Sequence, residues 1–335
     1  MKCVNGHGIF HRPENRFKMN MEKQQLKIWT SNNFGESATA RLAEGIPVND
    51  YQLVAGESDL ASAVIAFGQP AVGSVIGSTT LRWIQLDSAG YERYDNEDFR
   101  AHVSRSGIVV TNSSSAYAQP CAEHTLAMIY GMARQLPGAC AAQMTDHSWP
   151  MGALRAESRL LRGENVLLLG YGAIGRTIAG LLAPLQMRLR GYRRRPDGTE
   201  AIPMIDSREL AAELALADHV INILPASPAT NRFCNDALFS GMKRGAIFYN
   251  IGRGMTVDQE ALVAALQSSQ LGGACLDVTD PEPLPADHPL WTAPNCLITP
   301  HTAGGQRFEK RVIVDHFLDN LRRFLAGEPL IDTIL

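Results

Sequence analysis

Apolar residues in this chain gather into short runs, set between stretches where they recur every three or four positions. The second half carries six such runs: Val166-Leu-Leu-Leu169, Arg188-Leu-Arg-Gly-Tyr192, His219-Val-Ile-Asn-Ile-Leu224, Ala246-Ile-Phe-Tyr-Asn250, Gly273-Ala-Cys-Leu276 and Cys296-Leu-Ile-Thr299. Short strands interleaved with helical periodicity predict an α/β fold with a doubly wound parallel sheet. The first third predicts a smaller parallel α/β unit, with strands at Leu26-Lys-Ile-Trp29, Val64-Ile-Ala-Phe67, Leu81-Arg-Trp-Ile-Gln-Leu86 and Gly107-Ile-Val-Val-Thr111. Between the two, the polar Ser113-Ser-Ser115 precedes an amphipathic stretch with Pro120 near its expected first turn, and the chain is expected to change domains there. A periodic segment from about 308 to 325, stopped before Gly327, predicts the last helix. Residues 1–23 are polar, lack the apolar core of a secretory signal, and are expected to be a disordered extension.

The glycines after the first of the six runs add chemistry to this pattern. In Gly170-Tyr-Gly-Ala-Ile-Gly175, Gly170 permits a tight turn, Gly172 lets the backbone approach a pyrophosphate, and Gly175 lets helix and strand pack closely. Ala173 and Ile174 open the helix, whose free N–H groups and positive dipole end suit phosphates. A glycine triplet alone is a weak signal. Strand, turn and helix together predict a bound dinucleotide.

Composition narrows the reading further. A length of 335 residues suggests about two domains, and 45% hydrophobic with 19% charged residues is ordinary for a globular protein. The net charge of −3 offers no basic field for nucleic acid or an anionic membrane. No apolar run approaches the roughly 20 residues that span a bilayer. The six cysteines are scattered without a CxxC pair, which argues against a disulfide framework or a zinc site. A cytoplasmic protein without a metal is expected.

Three later strand ends carry candidate chemistry. Asn250-Ile-Gly-Arg-Gly254 presents Arg253 between glycines, Asp277-Val-Thr-Asp-Pro-Glu-Pro283 presents Glu282 between prolines, and Thr299-Pro-His-Thr-Ala-Gly304 presents His301. Singly, each reads as a surface charge or a structural histidine. Strand ends on one side of a doubly wound sheet converge, so together they form a cation for a carboxylate, a proton donor and a partner to hold that donor. In the first domain, Gly68-Gln-Pro70 and Ser88-Ala-Gly90 also follow strand ends. From spacing alone, ordinary turn chemistry is the better account of these two loops.

At this point the chain resembles the D-isomer-specific 2-hydroxyacid dehydrogenase family, from about residue 26 onward. The resemblance is carried by the glycine loop, Ala217-Asp218, Asn250-Ile-Gly-Arg-Gly254, Asp277 with Glu282-Pro283, and Thr299-Pro-His301. It implies that Arg253 binds the substrate carboxylate and polarises the 2-oxo group, that His301 is the general acid, and that Glu282 orients it. It also implies that Pro225, Thr230, Ile251, Asp277 and Gly304 line the cofactor. The substrate is implied to sit against Gly68, Gln69, Ala89 and Gly90. Also implied are a homodimer and a Rossmann coenzyme domain (119–305) inserted in a smaller flavodoxin-like substrate domain (24–118 and 306–335).

The expected substrate is a small 2-oxo acid of the glyoxylate or hydroxypyruvate type. A phosphoglycerate dehydrogenase-like enzyme and a non-catalytic, NAD(H)-gated interaction scaffold are the alternatives. Because the sequence ends at Leu335, no C-terminal regulatory domain is expected. NAD-specific members place a carboxylate after the second strand, where this chain has Arg193-Arg-Arg195 and no acid until Asp197. Arg193, Arg194 and Arg195 suit a 2′-phosphate, so NADP(H) is favoured and NAD(H) is the alternative.

Overall fold

The computed structural model describes residues 25–31, 34–47, 49–196 and 198–335. The extension expected at 1–23 lies outside them. The first sheet is parallel, with strands β1 (Leu26–Thr30), β2 (Tyr51–Val54), β3 (Ala63–Phe67), β4 (Trp83–Gln85) and β5 (Val109–Thr111). Their order is β2-β1-β3-β4-β5, which is the flavodoxin-like winding. The second sheet holds β6 (Asn165–Leu169), β7 (Arg188–Tyr192), β8 (Met204–Ile205), β9 (His219–Asn222), β10 (Ala246–Asn250), β11 (Leu271–Leu276) and β12 (Cys296–Ile298). Its order, β12-β11-β10-β9-β6-β7-β8, reverses direction between β6 and β9. That switch point opens a crevice at the strands' carboxyl ends, and the glycine loop lies there.

All the expected strands are present, and two edge strands are added. In β2 only Tyr51 is buried, and β8 has two residues, so neither leaves an apolar run to read. Central β6 is apolar from Val166 to Leu169, the residues paired with both β7 and β9, as a strand covered on both faces must be. The helix Ala173–Leu182 buries Gly175, Ile178, Ala179 and Leu182, one stripe at helical spacing. It packs against Ala122, Met128, Ile129 and Met132 of the long helix Ser114–Ala133.

That long helix differs from the sequence expectation. It begins at Ser114, so Pro120 lies within it and the 118/119 boundary falls inside it. The reason is a pair of caps, one local and one remote. Ser114 N–H donates to Asn112 Oδ1 at 3.1 Å, and Ser115 N–H donates to Asp332 Oδ2 at 2.6 Å. Asp332 belongs to the C-terminal tail, which runs antiparallel beside β5 through Asn112 N to Asp332 O at 3.0 Å and Ile334 N to Val110 O at 2.9 Å.

The last helix, Glu309–Ala326, ends where Gly327 adopts φ 69°. It returns to the first sheet, where Phe317 stacks on Phe67 at 4.1 Å and on Trp83 at 5.2 Å between ring centroids. The first sheet's core is thus built from both ends of the described chain. Among the described residues no helix is long and apolar enough to cross a membrane.

Candidate active site

The glycine loop has the shape a pyrophosphate needs. Gly170 sits at φ 106°, and an added Cβ would lie 3.1 Å from the Ile223 carbonyl oxygen. At Gly175 a Cβ would come within 2.8 Å of the Gly170 oxygen, whereas at Gly172 it would meet nothing within 4 Å. Two glycines therefore make the helix and strand fit, and the middle one leaves open space beside the helix N-terminus carrying Ala173 and Ile174. These residues suit a dinucleotide phosphate.

The proposed cofactor walls divide. Thr230 Oγ1 donates to the Pro225 carbonyl at 2.6 Å, folding that loop on itself. Ile251 lies in the apolar core with Ile221 and Tyr249. Gly304 packs against Tyr117, whose Cδ1 would be 2.9 Å from an added Cβ. Arg193 does not stand free, as its Nη1 donates to Glu200 Oε1 at 2.8 Å. Glu200, with a side chain 5% exposed, was not singled out in the sequence because it lies eight positions beyond β7. Arg194 and Arg195 are exposed at the strand's end.

The loop after β11 and the loop after β12 are joined through Asp277. Its Oδ1 accepts from Thr299 Oγ1 at 2.6 Å and Thr302 N at 2.8 Å, and its Oδ2 accepts from Ala303 N at 2.9 Å. His301 N–H donates to the Asp277 carbonyl at 2.8 Å. These bonds hold His301 at φ 54°, a left-handed conformation that non-glycine residues adopt only when their surroundings impose it. His301 Nδ1 lies 2.7 Å from Glu282 Oε2, and Glu282 Oε1 accepts from Thr279 N at 3.0 Å. A carboxylate accepts from Nδ1–H, so Nε2 is left for a substrate oxygen.

Arg253 is fixed by close packing of its flanking glycines. A Cβ on Gly254 would sit 1.9 Å from the Thr279 carbonyl oxygen, and one on Gly252 would sit 2.7 Å from that of Leu224. The arginine thus abuts the segment that holds Glu282. Its own carbonyl accepts from Thr256 Oγ1 at 2.6 Å.

Across the cleft, the first domain meets it. Arg253 Nε donates to Glu92 Oε1 at 2.6 Å, and a Cβ on Gly90 would lie 2.1 Å from Nη2. Gln69 Nε2 donates to Asp87 Oδ1 at 2.6 Å and Ser88 Oγ at 2.9 Å, while Asn112 Nδ2 holds the Ala89 carbonyl at 2.7 Å. Gly68, at φ 127°, donates its N–H to the Gln85 carbonyl at 2.9 Å. The two expected substrate loops are therefore one bonded wall, and Gly90 touches the arginine.

Sequence reading missed Glu92, Asp87 and three residues of the long helix. Tyr117 donates to the Asp87 carbonyl at 3.1 Å and Glu309 Oε1 at 3.2 Å, and His124 Nε2 lies 3.1 Å from Thr299 Oγ1. Burial, with Asp277 adding to it, pushes the Cys121 thiol up to about 12, so it stays protonated and inert. Among the described residues no cluster of three His, Cys, Asp or Glu side chains is placed to hold a metal.

Residues 126–303 match the model for the NAD binding domain of the D-isomer specific 2-hydroxyacid dehydrogenases. The chain belongs to that family. The human glyoxylate reductase/hydroxypyruvate reductase is 32% identical over 234 residues, covering 68% of this chain and 70% of that protein. The D-3-phosphoglycerate dehydrogenase of Rattus norvegicus is 31% identical over 75% of this chain, but only 46% of its own length. Among solved structures, the D-isomer specific 2-hydroxyacid dehydrogenase from Xanthobacter autotrophicus Py2, in complex with NADPH and MES, matches with a TM-score of 0.78 and 28% identity. That match covers 94% of this chain and 98% of the other.

Proposed function

We propose that this chain reduces a small 2-oxo acid of the glyoxylate or hydroxypyruvate type to the D-2-hydroxy acid. The observation that carries the reading is the convergence of Arg253 with the Glu282–His301 pair, whose Nδ1–Oε2 separation is 2.7 Å. The nicotinamide, when bound, supplies the hydride. Arg253 anchors the substrate carboxylate by its Nη edge, where Nη2 is the open group while Nη1 also holds the Gly252 carbonyl at 2.7 Å, and draws electron density from the 2-oxo oxygen. His301 delivers the proton to that oxygen from Nε2, held in line by Glu282 at Nδ1. Asp277 keeps the histidine loop in place, so its carboxylate acts by positioning.

The cofactor we favour is NADP(H). With Arg193 held by Glu200, the preference rests on Arg194 and Arg195, which are exposed where the 2′-phosphate would lie. Arg194 is close enough for its charge to act on the Tyr91 hydroxyl. We also favour a homodimer. The helices Leu136–Thr145 and Met151–Glu157 bury no residue, and they and their flanks expose Met144, Trp149, Met151 and Leu160.

The test is steady-state oxidation of NADPH and NADH with glyoxylate, hydroxypyruvate and pyruvate. Turnover of at least one of these acids is expected, faster with NADPH. No turnover with any pair overturns the reading.

A further inference from the structure

The residue that meets Arg253 from the opposite domain has no part in the reaction described above, yet it touches the substrate's expected anchor. Glu92 lies in the 3-10 turn Glu92–Tyr94, just after Gly90, and its Oε1 takes the Nε edge of the guanidinium at 2.6 Å. Nη1 is turned onto the Gly252 carbonyl at 2.7 Å. Among the described residues no other ion pair joins the two sheets' domains. Glu92 and Arg253 keep 41% and 31% of their side chains exposed, and a pair so wetted adds little to stability. Its consequence is electrostatic. Arg253 meets the substrate with its charge already matched.

The wall beyond the arginine is acidic as well. Asp87 lies in the same loop, bonded to Gln69 at 2.6 Å and without an ion pair among the described residues. The nearest basic side chain in the turn, Arg93, is folded over the Tyr94 ring at 5.2 Å. A substrate carboxylate fits the Nη edge of Arg253. A second anionic group on the carbon beyond the oxo group would face Glu92 and Asp87.

We infer that Glu92 is a specificity-determining residue, which limits the substrate to a single negative charge. The inference rests on the reading of Arg253 as the carboxylate anchor. It selects monoanionic 2-oxo acids and turns away dicarboxylic and phosphorylated ones. Two like charges ~6 Å apart at an effective dielectric of ~40 repel enough to change selectivity about tenfold.

The test compares kcat/KM for hydroxypyruvate and oxaloacetate in wild type, Glu92→Gln and Glu92→Asp. Wild type should prefer hydroxypyruvate. Glu92→Gln keeps the size and a hydrogen-bonding group but removes the charge, so the ratio should move about tenfold toward oxaloacetate. Glu92→Asp retains the charge and should retain the discrimination. If Glu92→Gln lowers both substrates in proportion, or oxaloacetate stays as poor as before, the residue merely ties the domains and the inference falls. A wild type that prefers oxaloacetate also overturns it, while leaving Arg253 as the anchor. A wild type that reduces no 2-oxo acid removes the underlying reading, and the inference with it.

Discussion

Substitution of Gly90 by alanine isolates the position of Arg253 from the stability of the fold. The Gly90 backbone lies outside the left-handed region, so alanine adopts it without strain. The atoms nearest an added Cβ are Arg253 Nη2 at 2.1 Å and Glu92 Oε2 at 2.7 Å, both at the ends of flexible side chains. To reach an ordinary contact of about 3.5 Å the guanidinium must retreat by roughly 1.4 Å. Displacing a substrate-binding group by ~1 Å can reduce the rate up to about 10²-fold. Gly90→Ala should therefore lower kcat/KM for hydroxypyruvate by roughly 10- to 100-fold, mainly through KM, while Tm moves by no more than about 2 °C. Gly254→Ala is the contrast, because its Cβ would strike the Thr279 backbone oxygen at 1.9 Å. Backbone cannot yield as a side chain does, so that variant should lose several degrees of Tm or fail to fold. Steady-state kinetics beside a thermal melt read both effects. A Gly90→Ala protein with wild-type KM would refute the placement of Arg253 at the substrate.

Three further outcomes are expected. His301→Asn should lower kcat for reduction by ~10²–10⁴ with cofactor affinity little changed, measured by kinetics and by cofactor titration; a near wild-type kcat removes His301 from the chemistry. Arg194→Ser should reduce the NADPH-to-NADH ratio of kcat/KM by about tenfold, since one charge-assisted hydrogen bond contributes roughly 1.5–3 kcal/mol; native use of NADH as well as NADPH would make the arginines a solvated turn. Burial of Asp218 acts to raise its carboxyl, but the Asn165 N–H at 2.8 Å and Lys243 Nζ at 2.6 Å outweigh it and hold the group below its ordinary value. A depressed carboxyl contributes stability above its unfolded value of about 3.9 and loses it as pH falls. Asp218→Asn should thus lower Tm at pH 7, with the gap to wild type narrowing below about pH 4; a gap independent of pH would mean that its hydrogen bonds alone matter.

The strands whose two faces are buried left continuous apolar runs, and the sequence located every one of them. Tyr51–Val54 and Met204–Ile205 escaped because edge strands bury little and need no such run. The start of the long helix escaped for another reason. Its cap is Asp332, 217 positions away, and only folding brings that carboxylate to Ser115. At the site, the glycine loop and the Glu282–His301 pair were legible because each is written in a short local motif. Glu92 was not, since a glutamate after a glycine turn looks like any solvated charge until the second domain supplies Arg253. Arg193 shows the converse, in which a local basic run suggested three available cations and the fold paired one with Glu200.

The central claim is direct hydride transfer to the C2 carbon with protonation of its oxygen by His301. The most direct measurement uses NADPH deuterated at the transferring C4 position with hydroxypyruvate, followed by mass and chiral analysis of the product. D-glycerate carrying one deuterium at C2, with the label absent when His301→Asn replaces the enzyme under the same brief incubation, is the expected result. Glycerate without deuterium at C2, or of L configuration, would contradict it.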